Sequence, residues 1–366
     1  MKKIILTSAL IILTIALSGL SHAKVTGACY NCHTMHNSQG GTEMAYQLKG
    51  TLDGFEPDVT PNPCLLTTNC IGCHSATGSA TWKDPTTGAP IVFNSSAPAT
   101  PLAGGNFYWV TINESYGHNI FSQDSKLSKA PGDAGFSTCA TNGCHANLHG
   151  TVSGASALDG RQGCTKCHMV SGSGKTSGYH HANDGTDTKY VETAAKGWYR
   201  FLSGHMSGDG HGVAGIEDVD WQATSSASDH NEYLGFHDPG GGYGFGSLGH
   251  TTSAFCTGCH AVFHDNQGSG SPWLRHPSDL IIPNSGEYAS ISTAYNPLVP
   301  VARPAGFNWG GSPSGTVAAG TDMVMCLSCH RAHGSPYYKM LRWPYKEGAT
   351  LSECLSGCNV CHTSKN

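Results

Sequence analysis

The sequence predicts a fold that is mostly coil, with short helices and little β-sheet. Glycine makes up 48 of the 366 residues, about 13% where about 7% is typical. Gly-rich stretches such as residues 240–246 interrupt any helical or strand period, and the sequence has no long amphipathic run. The third observation is a recurring motif of cysteines and histidine, because a short helix is expected at each copy.

The motif is Cys-x-x-Cys-His, and it occurs six times. The copies are Cys29/Cys32/His33, Cys70/Cys73/His74, Cys164/Cys167/His168, Cys256/Cys259/His260, Cys326/Cys329/His330 and Cys358/Cys361/His362. A seventh, looser copy has four residues between its cysteines, Cys139 and Cys144, and ends in His145. Two thiols at this spacing form thioether bonds to the vinyl groups of one haem, and the adjacent histidine binds the iron. The motifs therefore predict seven covalent c-type haems, with a structural disulfide as the alternative at the seventh copy.

These haems also explain how so glycine-rich a chain would fold. Charged residues are only 12% of the sequence, and a composition of this kind is also found in disordered chains. Seven macrocycles supply apolar surface that the side chains lack, so the predicted fold is a multihaem cytochrome c, wrapped around a haem chain. A compact chain of this length has a radius of gyration of about 20 Å. The haems are then close enough for electron transfer along a row.

Two cysteines remain outside the motifs, Cys64 and Cys354. In an oxidising compartment a disulfide between them would join the N-terminal and C-terminal regions. Either cysteine is alternatively an extra thioether donor, since Cys354 lies four residues before Cys358 and Cys64 lies six before Cys70.

The N-terminus has the pattern of a secretory signal peptide. Lys2 and Lys3 precede an apolar run over residues 4–17, and Ser21-His22-Ala23 fits a cleavage site. We expect residues 1–23 to be removed, with an uncleaved membrane anchor as the alternative, and residues 24–366 to form one heptahaem domain. No later segment reaches the roughly 20 apolar residues of a membrane span. The expected location is extracellular or at the cell surface, with the periplasm as the alternative.

Charge excludes one class of partner. Removing Lys2 and Lys3 changes the formal net charge from −5 to −7, and haem propionates add further negative charge. Nucleic-acid binding needs a basic surface, which this chain lacks. Other redox proteins or extracellular electron acceptors are the expected partners.

The histidines outside the motifs are candidates for the second axial position of each iron. Twenty histidines follow Ala23, and seven of them belong to motifs, so thirteen compete for seven positions. Trans ligands place their Cα atoms about 12 Å apart, whereas three residues span at most about 10 Å. His36 and His333 therefore bind a neighbouring haem if they are ligands, and the same holds for His149 and His264 unless the chain there is fully extended. Methionines such as Met169 are an alternative that the histidine surplus makes unnecessary.

The fourth motif has its own group of candidate ligands. The histidines near it in the sequence are His180, His181, His205, His211, His230, His237 and His250, and the adjacent pair His180 and His181 is the preferred choice.

Several segments are distinctive beyond the haem motif itself. They are residues 29–41, Gly117-His118-Asn119-Ile120, Trp273-Leu274-Arg275-His276-Pro277, residues 325–333 and residues 358–362. In the same order, they resemble segments of the extracellular multihaem c-type cytochromes that polymerise into filaments. The resemblance covers about the first 150 residues and those from about 250 onward. It implies bis-histidine haems in one continuous chain.

Carried over to this sequence, the resemblance implies six distal ligands: His36, His118, His149, His264, His276 and His333. It also implies that His36 binds a haem of the adjacent protomer, the one held by Cys326, Cys329 and His330. The chain departs from the family in its extra haem at Cys164/Cys167/His168, the unmatched residues 151–250, the wider third motif and the two spare cysteines. Polymerisation is thus implied by similarity and not by spacing.

Three functions compete on these grounds. A filament-forming extracellular electron conduit is preferred, a discrete periplasmic or surface electron carrier is the runner-up, and a multihaem redox enzyme is third. An enzyme of that kind needs an iron with an open position, often marked by Cys-x-x-Cys-Lys. That motif is missing from the sequence, and its histidines outnumber the predicted irons, so we do not expect an enzyme.

Overall fold

The computed structural model describes part of the 366-residue chain. The described residues are 28–44, 46–48, 55–62, 65–121, 164, 167–168, 199, 202, 213–237, 250–257, 260, 276–307, 313–346 and 348–364. The predicted signal peptide, the Cys139/Cys144/His145 motif, Cys64, Cys259, His149, His180, His181 and His264 lie outside them.

Helices in the described residues are short, and half of the helices and 3-10 turns contain motif residues. The α-helices are α1 (Ile71–His74), α2 (Tyr108–Ile112), α3 (Thr252–Thr257), α4 (Cys326–Cys329) and α5 (Leu351–Leu355). Single 3-10 turns are formed by Cys29–Asn31, Glu114–Tyr116, Gly286–Tyr288, Tyr338–Met340 and Cys358–Val360. The prediction of short helices in a largely irregular chain is confirmed.

The strands are two or three residues long. They are β1 (Ser38–Gln39), β2 (Thr42–Glu43), β3 (Tyr46–Leu48), β4 (Phe55–Pro57), β5 (Ser75–Ala76), β6 (Phe93–Asn94), β7 (Gly215–Ile216), β8 (Glu232–Leu234), β9 (Leu280–Ile281), β10 (Ala302–Arg303) and β11 (Met323–Val324). Five form a mixed sheet in the order β7-β8-β10-β11-β9, where β8 and β10 are parallel and the other neighbours antiparallel. The sequence did not predict this sheet, although it agrees with the small strand content expected.

The apolar core of the described residues is divided into three small clusters, and each adjoins a motif. The first cluster includes Ile71 of α1 together with Phe93 and Phe107. The second reaches Met325, which immediately precedes α4. The third contains Cys361 itself, packed with Trp343. The apolar core is thus divided among several motifs, which suits a chain built around several bound groups rather than around one interior. No helix among the described residues is long and apolar enough to span a membrane.

Candidate haem-binding site

The six Cys-x-x-Cys-His copies share one backbone hydrogen bond. In every copy the backbone N–H of the histidine donates to the carbonyl of the first cysteine, with N···O distances of 2.8–3.1 Å. A single turn therefore brings the residues of each motif together. This is the arrangement that two thioether bonds and one axial imidazole on the same haem require.

The predicted thioether donors differ in how far the polypeptide covers them. Cys164 is partly buried and lies next to Cys70, whereas Cys167 of the same motif is exposed, as is Cys29 of the first motif. The role of each cysteine as a thioether donor stays a prediction from the motif.

Two of the motif imidazoles are oriented by backbone carbonyls. His74 Nδ1 lies 2.8 Å from the carbonyl of Pro90, and His330 Nδ1 lies 2.9 Å from that of Lys339. Because a carbonyl only accepts, Nδ1 must carry the proton, and Nε2 then has a free lone pair. Metal-binding histidines are commonly held in this tautomer by the same kind of contact.

Histidines outside the motifs show the same contact. His36 Nδ1 donates to the carbonyl of Asn62 at 2.7 Å, and His118 Nδ1 donates to that of Ala332 at 2.7 Å. His276 Nδ1 donates to the carbonyl of Pro277 at 2.9 Å. Each of these rings therefore keeps Nε2 available for a metal, which is what the resemblance implied for these three histidines.

Three pairs of imidazoles stand about 6 Å apart, and each pair joins a motif histidine to one from elsewhere in the chain. The ring centroids are 6.1 Å apart for His118 and His260, 5.9 Å for His168 and His333, and 6.2 Å for His276 and His362. Two imidazoles on opposite sides of one metal give about 6 Å, from bonds of about 2 Å and about 1.2 Å between each nitrogen and its ring centre. The chain therefore fits bis-histidine haem at these three motifs.

The motifs also lie next to one another. The Cys164 thiol donates a hydrogen bond that lowers the pKa of Cys70, and Cys256 does the same to Cys326. Burial, with the charge of Cys32 as the next cause, raises the pKa of Cys73 to about 11. The first two motifs in the chain are thus neighbours, and the second motif is also a neighbour of the Cys164 motif.

The C-terminal motifs are adjacent in the same way. Burial followed by the charges of Cys358 and Cys361 raises the pKa of Cys329 to about 12. The Cys326 motif therefore touches the Cys256 motif on one side and the last motif on the other.

The interior histidines are held neutral. Burial lowers the pKa of His74, His118 and His330. For His333, burial and then the charges of His168, His118 and His74 lower the pKa to about 3. Neutral imidazole is the form that binds a metal, so protons compete weakly for these rings.

The position of His333 is fixed by close packing. Its ring stacks on Phe107 with centroids 4.6 Å apart, and its backbone N–H donates to the carbonyl of Gly104 at 2.7 Å. Next to it, Gly105 has φ +83, and a Cβ there would collide with the carbonyl oxygen of Gly334. Only glycine permits this approach, which brings the segment after the Cys326 motif against residues 104–107.

The histidines of the first motif lie at the molecular surface. His33 and His36 are exposed, and His36 has φ +55. Large apolar side chains around them are also exposed, with Tyr30 at 65%, Met35 at 68% and Leu65 at 51%. The contact with Asn62 thus fixes an imidazole at the surface, in apolar surroundings.

His230 has a different environment from the other candidates around the fourth motif. It is fully buried, its ring stacks on Tyr295 with centroids 3.5 Å apart, and its Nε2 lies 3.4 Å from Glu232. The Glu232 carboxylate in turn accepts from Arg303 at 2.7 Å, and Arg303 also contacts Asp322. His230 therefore belongs to a buried ionic cluster across strands β8 and β10, which no sequence pattern indicated.

Two further arginines, one buried and one partly buried, were missed by the sequence argument. Arg342, only 6% exposed, donates to the carbonyls of Leu298 and Pro297. Arg331 donates to the carbonyl of Leu102, and burial followed by the charge of Arg342 lowers its pKa to about 10. The position of Arg331 directly after His330 is the signal that could have drawn attention to it.

Comparison with known proteins agrees with the motifs and with the fold. The family described as Doubled CXXCH motif matches residues 316–366. The chain is 25% identical over 415 residues to the C-type cytochrome OmcS of Geobacter sulfurreducens, covering 94% of this chain and 85% of that protein. The solved structure of the Outer Membrane Cytochrome S filament from Geobacter sulfurreducens matches with a TM-score of 0.51 at 21% identity, covering 94% of this chain and all of that one.

These findings confirm the predicted resemblance and the predicted fold class. The alignment also extends beyond the two regions that the motifs matched, because it spans 94% of the chain. At 21% identity the structural likeness shows a shared fold.

Proposed function

We propose that this protein carries electrons outside the cell along a row of covalently bound, bis-histidine c-type haems, and that it polymerises into filaments. The observation that carries the proposal is the spacing of about 6 Å between motif and non-motif imidazoles in three separate pairs. When bound, the haem supplies a one-electron iron couple. The likeness to a filament-forming cytochrome supports the extracellular setting, as does the predicted signal peptide.

The chain's own residues hold seven haems in this proposal. Fourteen cysteines attach them, and His33, His74, His145, His168, His260, His330 and His362 are the proximal ligands. The distal ligands follow from the observed pairs: His118 with His260, His333 with His168, and His276 with His362. The pairing of His333 with His168 agrees with the spacing argument, which forbade His333 from serving the haem of its own motif.

The order of the row follows from the neighbouring motifs. Cys32 lies near Cys73, Cys70 near Cys164, and Cys326 near Cys256. The Cys164 and Cys256 motifs are connected through their distal histidines. His333 is the proposed ligand at the Cys164 motif and His118 at the Cys256 motif, and the two imidazoles are close enough for the charge of His118 to lower the pKa of His333. We therefore propose a continuous path from the first motif to the last. The position of the third motif in it stays open.

Two unpaired imidazoles support assembly of protomers. His36 is exposed and fixed by Asn62, so its Nε2 is free to bind an iron outside its own chain. Within the described part of the chain, no imidazole stands opposite His330 at the distance found in the three pairs. We propose that His36 of one protomer binds the iron held by His330 in the next. The exposed apolar side chains around His36 would then be covered by that neighbour.

Imaging of the secreted, haem-loaded protein tests this function. Wild-type protein is expected to form filaments with every iron low-spin. His36→Ala is expected to give monomers in which one haem becomes high-spin and returns to low-spin on addition of free imidazole. Met35→Ala is the control, because it removes exposed apolar surface beside His36 and keeps the ligand.

The control is expected to keep its filaments and its low-spin spectrum. Filaments that persist in His36→Ala would contradict the bridge between protomers. A wild type that is monomeric with all haems low-spin would favour the discrete carrier. A high-spin haem in the resting wild type would favour an enzyme.

A further inference from the structure

We propose that Arg331 and Arg342 bind the propionate carboxylates of the haems beside the Cys326/Cys329/His330 motif, and so raise the reduction potential there. The inference rests on the proposed function, since it requires haem at this motif. It concerns two residues that neither bind an iron nor form a thioether bond to a haem.

The first reason is that neither guanidinium, that of the buried Arg342 or that of the partly buried Arg331, has an anionic partner among the described residues. Arg342 is 6% exposed, and its hydrogen bonds go to the backbone carbonyls of Leu298 and Pro297. Arg331 donates to the carbonyl of Leu102. Neither arginine forms an ion pair with any carboxylate of the described chain, whose ion pairs involve other residues. A buried charge without a counter-charge is costly, so proteins pair nearly all of them.

Arg303 shows how the same chain treats a buried arginine that is satisfied by protein groups. It is 2% exposed, contacts both Glu232 and Asp322, and has a pKa raised by Glu232 against the effect of burial. The difference lies in the partner, because all three arginines also donate to backbone carbonyls. An anion that is not part of the polypeptide would give Arg331 and Arg342 the negative partner that Arg303 finds in Glu232 and Asp322.

The second reason is the position of the two arginines. His330 pairs with Leu341 across an isolated antiparallel bridge, Arg331 N–H donates to the carbonyl of Met340, and Arg342 N–H donates to that of Cys329. Arg331 and Arg342 are thus diagonal neighbours across this bridge, about 7–8 Å apart at Cα. Two guanidinium groups at this spacing can bind the same carboxylate, or the two propionate carboxylates of one haem. The planar guanidinium is well suited to such contacts, because it donates two parallel hydrogen bonds to a carboxylate.

The third reason is the location of the bridge within the row. Cys329 and His330 belong to a motif, and the charge of Arg342 acts on both of them. Every haem carries two propionates, so the anions closest to these arginines arrive with the cofactor. A fixed positive charge favours the reduced state of a haem, because reduction removes one positive charge from the iron.

The test measures potentials in the haem-loaded full-length protein. Arg331→Gln and Arg342→Gln are each expected to lower the potential of one haem, so that its ratio of reduced to oxidised form at a fixed potential falls about tenfold, a shift of about 59 mV. Arg342→Lys keeps the charge and is expected to restore most of the potential. Lys346→Gln is the matched control: it removes one positive charge from an exposed site on the same segment and is expected to shift no haem comparably.

Infrared difference spectra between the oxidised and reduced protein give a second readout. The glutamine variants are expected to gain the carbonyl band of a protonated propionate, which the wild type lacks at the same pH. Arg331→Gln keeps the test decisive if Arg342→Gln fails to fold, because Arg331 has the fewer backbone contacts.

Unchanged potentials in the glutamine variants would overturn the inference. Wild-type potentials that follow the chloride or phosphate concentration, with this dependence lost in the variants, would also overturn it, since the arginines would then hold a solvent anion. Wild-type protein without haem at this motif would refute the proposed function itself, which a haem count distinguishes from both of these results.

Discussion

The histidines in the middle of the molecule and those at its N-terminal edge are held in opposite ways. His333 is enclosed by Phe107, by the close approach of Gly105 to Gly334, and by a second imidazole, His168, 5.9 Å away. His36 is exposed, and Asn62 holds it through two hydrogen bonds, one to the ring Nδ1 and one to the backbone carbonyl. The fold thus determines where the central imidazole lies, whereas the edge imidazole is only oriented. In the proposed function, this difference separates the ligands of a chain's own haems from the one that binds a haem of a second molecule.

Replacing glycine in the two regions gives the largest expected contrast in stability. Gly105→Ala combines a left-handed φ of +83 with a Cβ that collides with the Gly334 carbonyl oxygen. We expect it to lower the free energy of unfolding by about 3 kcal/mol, from backbone strain and overpacking together. Denaturant unfolding of the haem-loaded protein measures the change.

Gly41→Ala is the matched control at the edge. Its φ is +81, close to that of Gly105, but nothing lies within 4 Å of the added Cβ. The expected cost is about 1 kcal/mol, because only the backbone preference is lost. Equal costs at the two glycines would show that residues 104–107 relax, and that the packing around His333 is not what fixes the ligand.

The same contrast shows which parts of the site were predictable from the sequence. The turns of the motifs follow from local spacing, and they are found as expected. The exclusion of His333 from its own haem also needed only the length of three residues. The identity of its partner was not accessible, because it depends on residues 104–107 packing against residues 333–334.

His230 illustrates the limit most clearly. Sequence proximity placed it among the candidates for the fourth motif, whereas the structure places it against Tyr295 and Glu232 in a buried cluster. Strands of two or three residues carry almost no periodic signal, so the pairing of β8 with β10 that forms this cluster could not be foreseen. The assignments of His149, His180, His181 and His264 stay predictions, as they lie outside the described residues.

As the pH is lowered, we expect the filaments to dissociate before the internal haems lose their low-spin spectrum. Burial lowers the pKa of His333 to about 3, below the value of about 6.5 for a histidine in an unfolded chain. As the pH falls from about 6.5 towards 3, the unfolded chain gains a proton at this site before the folded one does, so the stabilisation is complete above this range and declines within it. The bond proposed between His36 and the neighbouring protomer lies at the protein surface and lacks the enclosure found at His333.

Filaments should therefore dissociate at a higher pH than the one at which the internal haems become high-spin. Light scattering and the high-spin absorbance, followed in one titration, compare the two midpoints. Conversion of internal haems with filaments still intact would reverse the order and would place the weakest ligand inside the protomer.

The smallest expected effect lies at the C-terminal edge, in the helix before the last motif. At the start of α5 the Thr350 hydroxyl accepts from the backbone N–H of Glu353 at 3.3 Å, and the Glu353 carboxylate accepts from the Thr350 N–H at 2.7 Å. Thr350→Ala removes the cap and is expected to cost about 1 kcal/mol of unfolding free energy. Ser352→Ala, at an exposed position in the same helix, is the control and is expected to cost less than half of that. Because α5 contains no residue of the motif itself, the haem at Cys358 and Cys361 should keep its low-spin spectrum in Thr350→Ala. A high-spin signal would mean that the pairing of His276 with His362 depends on this helix, as the pairing of His333 with His168 is expected to depend on Gly105.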